Sequence, residues 1–277
     1  MSGFVAKLLA ASRRNRSLVC VGLDTEPTRL PDSLRGERDP WLAFNLAIVD
    51  ATLDFVCAYK PNIAFYEAHG PRGAEVLART REAIPPVIPV IGDAKRGDVG
   101  HTAEAYARAL YDVFAFDAVT VNPYLGLEAL EPFLARSERG VFVLCRTSNP
   151  GAGEFQDLMV APGPGEAPVP LYQHVARRVV ADDRRGNAGL VVGATYPDEL
   201  RLVRAIAPRL PILVPGVGAQ AGDLERAVRF GVDENGEMAL INSSRAITYA
   251  STGADFASAA GRAARELREE INRYRQW

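Results

Sequence analysis

Residues 90–102 read VIGDAKRGDVGHT, and they place Asp93, Lys95, Arg96 and Asp98 within six positions at the end of an apolar run. Side chains two apart on an extended strand share a face. Asp93 and Lys95 therefore project together, with Asp98 just past the strand's end. Two carboxylates and an ammonium held this close perturb one another's proton affinities, which marks groups suited to acid–base or electrostatic chemistry. Lys60 (in AYKPN) and Asp24 (in GLDTEP) close other apolar runs. Salt bridges that merely orient rim loops are the competing account. Such surface pairs add little stability, and two lysines with three aspartates converging at one rim favour function.

A second constellation is PGVGAQAGD, Pro215–Asp223, followed by NSSRAI, Asn242–Ile247. GVGAQA alone fits the dinucleotide fingerprint G-x-G-x-x-A. It follows the seventh apolar run rather than the first, however, and no acidic residue closes a second strand about 20 residues later. A phosphate site explains it better. Gly216 and Gly218 expose backbone N–H groups, Gln220 adds an amide, and Arg245 adds a fixed charge suited to a dianion. A third is Thr147-Ser148-Asn149. Ser148 is suited to bonding the polar edge of a substrate and equally suited to an ordinary turn. His69, His101 and His174 show no metal-ligand spacing, so no metal is expected. No G-x-S-x-G elbow or Walker A loop appears. His101 reads as a first-turn residue of a helix for which Thr102 is a natural N-cap.

These residues need a scaffold that brings strand ends together. Short apolar runs, rich in β-branched residues, occur at Leu18–Leu23, Phe55–Lys60, Val87–Asp93, Ala118–Val121, Val141–Cys145, Leu190–Gly193, Ile212–Val214 and Ala239–Ile241. Between them lie helical patterns at Trp41–Leu53, Ala103–Phe114, Leu127–Leu134, Leu171–Val180, Glu199–Ile206 and Leu224–Phe230. The alternation predicts βαβ units and a parallel sheet buried on both faces. Eight strands in this length match an α/β (β/α)₈ TIM barrel. An open doubly wound sheet would gather its polar residues near one switch point. Here Asp24, Lys60, Asp93, Asn122, Arg146, Thr195 and Asn242 fall at strand ends along the whole chain, which favours the barrel. No linker divides residues 1–277, so one domain is expected. One stretch, 146–170, is rich in Gly and Pro and without periodicity, and a loop this long leaving the charged rim is expected to be a lid.

The chain has 277 residues, 48% hydrophobic and 24% charged, and a formal net charge of -2. That balance offers no broad attraction to nucleic acid or to an anionic membrane. Nowhere do 18 apolar residues run together, so no membrane span is expected. The basic, apolar N-terminus has its charges after a short apolar segment, the reverse of a secretory signal. It reads as an amphipathic helix. Cys20, Cys57 and Cys145 lie in or beside apolar runs, as buried reduced thiols of a cytoplasmic protein would.

DAKRGDVGHT, residues 93–102, resembles the D-x-K-x-x-D-x-x-x-T signature of orotidine 5′-phosphate decarboxylases. The resemblance extends through GLD at 22–24, Lys60, TSNPG at 147–151, PGVGAQ at 215–220 and Arg245. The chain length, YKPN and VNPYLG (121–126) are similar to the longer bacterial branch of that family. The resemblance implies a cofactor-free lyase acting on orotidine 5′-phosphate, with a catalytic set of Lys60, Asp93, Lys95 and Asp98 in which Lys95 donates the proton. Substrate would be held by Asp24, Thr102, Ser148, Pro215, Gln220, Ser244 and Arg245. Asp24 and Lys60 would touch the ribose, Ser148 the pyrimidine, and Gln220 and Arg245 the phosphate. Asp98 and Thr102 would enter a neighbouring subunit's site, making a homodimer with shared sites. Two other readings stand beside it: a metal-dependent sugar-phosphate synthase or epimerase barrel, and a non-catalytic nucleotide-binding barrel.

Overall fold

In the computed structural model, residues 3–217 and 223–275 are described. Eight strands alternate with helices in chain order: β1 Val19–Gly22, β2 Ala58–Lys60, β3 Ile91–Arg96, β4 Ala118–Val121, β5 Gly140–Arg146, β6 Ala188–Val192, β7 Ile212–Pro215 and β8 Ala239–Ser243. All neighbouring pairs run parallel, in the order β2-β1-β8-β7-β6-β5-β4-β3. The two ends of that series meet through parallel bridges at Tyr59↔Val90 and Asn62↔Asp93. Tyr59 N donates to Pro89 O at 3.0 Å, and Asp93 N to Pro61 O at 3.0 Å. The sheet is therefore a barrel with no free edge, as the alternating pattern predicts.

Helix α1 (Gly3–Asn15) precedes the barrel, and every strand is followed by a helix that leads to the next strand or the C-terminal end: α2 Pro40–Thr52, α3 Gly70–Ala83, α4 Gly100–Arg108, α5 Glu131–Leu134, α6 Leu171–Asp182, α7 Pro197–Ile206, α8 Leu224–Gly231 and α9 Phe256–Tyr274, with further single turns at Ala64–Glu67, Gly153–Gln156 and Arg245–Thr248. Burial divides the apolar residues into two layers. The larger lies between strands and helices. The smaller fills the barrel and includes Cys20, Ala58, Ile91, Ala118, Phe142, Leu213 and Leu240. Phe4 and Leu8 of α1 belong to this inner layer. The Phe4 ring meets Phe142 edge-on at 5.7 Å, so α1 plugs the N-terminal mouth of the barrel and the C-terminal rim is its open end among the described residues. The basic N-terminus is thus an amphipathic helix, buried through Phe4, Val5, Leu8 and Leu9.

Several boundaries differ from the sequence expectation. The third strand begins at Ile91 rather than Val87, because Pro85, Pro86 and Pro89 lack the N–H that a central strand donates. It also continues through the charged residues to Arg96. The second strand begins at Ala58 rather than Phe55, which instead closes a 3₁₀ turn, Leu53–Phe55. Helix α4 starts at Gly100 with Val99 at the N-cap position and no side-chain cap. Thr102 is a first-turn residue, as His101 is, and not the N-cap. The pattern read as Ala103–Phe114 passes into a π turn at Ala109–Val113.

The 146–170 segment is more ordered in form than its composition suggests. It holds a 3₁₀ turn (Pro150–Ala152), one turn of helix (Gly153–Gln156) and an antiparallel pair, Met159↔Pro170 and Val160↔Val169. Among the described residues no helix is long and apolar enough to cross a membrane. Cys20, Cys57 and Cys145 are buried and free.

Candidate active site

Asp93 stands at the centre of the C-terminal rim, and both predicted lysines converge on it. Lys60 Nζ, at the end of β2, donates to Asp93 Oδ2 at 2.9 Å; Lys95 Nζ donates to Oδ1 at 2.5 Å. Lys60 and Asp93 are buried, whereas the Lys95 side chain is 48% exposed. The lysine facing open space is thus the one available to a substrate. Burial alone would push the Asp93 carboxyl up, but Lys60 and Lys95 outweigh it and hold it well below the carboxylate range. Burial likewise pulls the Lys60 ammonium down, while Asp93 and Asp24 overcome that and raise it. Both groups are therefore charged at neutral pH. Beneath them, burial pushes the Cys20 thiol up to about 12, so it is an inert apolar filler.

Strand alternation pairs Asp93 with Lys95, and the two do meet. The backbone is less regular than strict alternation requires. The register of β3 against β4 shifts between Gly92 and Arg96, and Lys95 has φ +50°, a left-handed conformation unusual for a non-glycine residue. Thr120 holds this bulge. Its Oγ1 accepts from Lys95 N at 2.9 Å and donates to Asp93 Oδ1 at 2.9 Å. Thr120 went unnoticed in the sequence, where its only signal is a lone hydroxyl within the strand AVTV.

Arg96 turns away from the array. It pairs with Glu67, lies 5.3 Å over the Tyr106 ring and donates to Ala94 O, tying the bulge to the outer helices. Asp24 sits at the same rim, its Oδ1 accepting from Asn62 N at 3.1 Å. Ser244 approaches beside it. A Cβ at Gly22 would fall 1.8 Å from Ser244 Oγ and 3.3 Å from Asp24 Oδ2. Glycine at the end of β1 therefore leaves room for the residue after β8.

Not every predicted residue joins this cluster. Asp98, two residues beyond β3, accepts from Val99 N at 2.8 Å and forms no ion pair among the described residues. Thr102 is exposed on α4. Pro215 ends β7 opposite Asn242, and its carbonyl accepts from Ala194 N at 2.8 Å. Arg245 opens a single turn of helix, Arg245–Thr248, and is exposed. Gln220 lies outside the described residues. Ser148 follows β5 at the rim and packs tightly on β6, where a Cβ at Gly193 would lie 2.7 Å from Ser148 Cβ. Among the described residues no group of three or more His, Cys, Asp and Glu side chains is placed to hold a metal ion.

Fold and site together define a (β/α)₈-barrel enzyme whose C-terminal rim carries a lysine–carboxylate–lysine array. Residues 17–260 match the model of the Orotidine 5′-phosphate decarboxylase / HUMPS family, and the chain belongs to that family. It is 54% identical over 274 residues to the orotidine 5′-phosphate decarboxylase of Thermomicrobium roseum, covering 99% of this chain and 96% of that one. Among solved structures it is similar to the Leishmania donovani OMP decarboxylase, with a TM-score of 0.83 and 38% identity over 99% of each chain. It also resembles a Toxoplasma gondii orotidine-monophosphate-decarboxylase structure, with a TM-score of 0.84 and 42% identity over 97% of this chain and 95% of that one.

Proposed function

We propose that this protein decarboxylates orotidine 5′-phosphate to uridine 5′-phosphate in pyrimidine biosynthesis, without a cofactor. The observation that carries the reading is the Lys60–Asp93–Lys95 array, buried at two members and open at the third. The reaction breaks the bond between a ring carbon and the carboxylate carbon. The electron pair stays on the ring carbon, where no adjacent carbonyl delocalises it. A fixed ammonium at that carbon gains interaction as the negative charge develops, which lowers the barrier rather than merely tightening binding. Lys95 then delivers a proton from Nζ to the same carbon. Asp93 keeps Lys95 charged and aimed, and Lys60 keeps Asp93 ionised.

Asp24 and Lys60 would receive the ribose, and Ser148 the pyrimidine edge. Gln220 and Arg245 would hold the phosphate, with Pro215 and Ser244 also lining the substrate site. That grip is remote from the breaking bond, so its binding energy can drive closure of the 146–170 segment and assembly of the charged site. The catalytic set is completed by Asp98 from a second copy, with Thr102 beside it, in a homodimer. The absence of an ion pair at Asp98 among the described residues supports this. So do exposed apolar side chains in the segments after β3 and β4: Val99 and Tyr106 after β3, and Tyr124 and Leu125 after β4. Three buried free thiols fit a cytoplasmic location.

The name carried by the similar proteins favours this activity over a sugar-phosphate synthase or epimerase, and the intact array argues against a non-catalytic barrel. The test is orotidylate absorbance with purified protein in excess chelator. The absorbance should fall; no turnover under those conditions would sink the proposal. Metal-dependent action on pentulose phosphates would favour the synthase instead.

A further inference from the structure

Arg146, the last residue of β5, is only 2% exposed. Its guanidinium lies 3.7 Å from the centre of the Tyr196 ring, in the connection between β6 and α7. Nη2 donates to Asp157 Oδ2 at 3.1 Å; Nη1 donates to Thr147 O at 3.2 Å and Gln156 Oε1 at 3.4 Å. Gln156 closes the circle: its Oε1 accepts from Thr147 N at 2.8 Å, and its Nε2 donates to Thr147 Oγ1 at 2.9 Å. One buried cation thus joins the end of β5, the first helical turn of the 146–170 segment and the neighbouring rim loop.

That arrangement is a poor device for stability. Its carboxylate partner is half-exposed, and the buried Nε has no hydrogen-bond partner among the described residues. Buried charges of this kind are often replaced by apolar residues without loss, and an orphaned buried donor carries a desolvation cost. What the arrangement does fix is the course of Thr147 and Ser148. Gly193 N donates to Arg146 O at 2.8 Å, and the Ser148 backbone lies against Gly193 with no room for a Cβ. The Tyr196 N–H returns to Gly193 O at 3.2 Å.

We propose that Arg146 is a positioning residue: stacked under Tyr196 and tied to Gln156 and Asp157, it sets where Ser148 meets the substrate. The inference rests on the orotidylate reading of the site. It makes Ser148's contribution depend on the 146–170 segment being folded onto Arg146. A residue acting through another gives non-additive costs, whereas independent residues give costs that multiply.

The test is a double-mutant cycle of Arg146→Met and Ser148→Ala, read by KM and kcat for orotidylate with thermal unfolding alongside. Each single variant should raise KM by about tenfold, with a smaller change in kcat. The double variant should be no worse than about twice the larger single, because the coupled pair is lost once. Arg146→Lys should fail to rescue, since an ammonium lacks the planar fork that stacks and binds two partners. Gln156→Ala gives the same cycle without removing a buried charge, and answers if Arg146→Met does not fold. Wild-type KM in Gln156→Ala, or multiplying costs in either cycle, would overturn the inference while orotidylate turnover stood. No turnover by the unmodified protein would overturn the underlying reading and the inference with it.

Discussion

Lys95 carries its ammonium on a left-handed backbone, a conformation that costs a non-glycine residue about 1–2 kcal/mol. Strain of this kind persists where surrounding contacts over-determine it, and here Thr120 and Asp93 do so. Lys95→Ala should lower kcat by at least about 10²–10⁴-fold, the range for lost proton transfer alone at a positioned group, and should also lower thermal stability because the buried Asp93 loses an ion pair. Wild-type kcat in that variant would remove Lys95 from the chemistry. Thr120→Val leaves Asp93 short of a donor and Lys95 N short of an acceptor, and should destabilise the fold by about 1–3 kcal/mol in denaturant titration.

The charges at Asp93 and Lys60 also set a pH window. Asp93 is held below its unfolded value, so its contribution is complete above about pH 4 and lost as pH falls through the lower folded value. Lys60 is held above its unfolded value, so its contribution is complete below about pH 10 and lost as pH rises through the higher folded value. Neither group titrates between pH 5 and 9. Asp93→Asn should therefore flatten the acid limb of stability below about pH 4 and leave its slope between pH 5 and 9 unchanged. An unchanged acid limb would contradict the pairing.

At the level of elements, glycine at strand ends decides what the rim can hold. A Cβ at Gly193 would sit 2.9 Å from Ser148 N, a backbone atom without a flexible end to swing aside. Gly193→Ala should destabilise the protein by about 1–3 kcal/mol through overpacking and raise KM for orotidylate. Unchanged KM would show that Ser148 is not positioned there. The strands were legible in the sequence because a parallel barrel buries both faces, so Val, Leu and Ile cluster in short runs such as AGLVV and ILVP. Two long helices escaped notice for a related reason. Helix α3 buries only Gly73, Val76, Leu77 and Thr80, and α9 presents mainly Ala and Gly to its neighbours, so neither shows a strong apolar stripe. Asp93, Lys95 and Lys60 were readable from type and spacing. Thr120 and the β3 bulge were not, because a bulge arises from pairing with β4, which lies 25 residues away at Thr120.

For the whole molecule, closure of the barrel and the plug of α1 leave one open face. The described residues bring Asp24, Lys60, Asp93, Lys95 and Ser244 together there. Neither Asp98 nor Thr102 is engaged by the array of its own chain. The proposal that each site is completed across an interface makes a stoichiometric demand. Lys95→Ala and Asp98→Ala proteins, each inactive alone, should be mixed under conditions of subunit exchange and assayed for orotidylate turnover. In a hybrid dimer one site receives both alanines and the other receives both native residues, so activity should return to about a quarter of wild type at equal mixing. If both variants are inactive alone and the mixture stays inactive after exchange is verified, Asp98 acts within its own chain and the shared site is wrong.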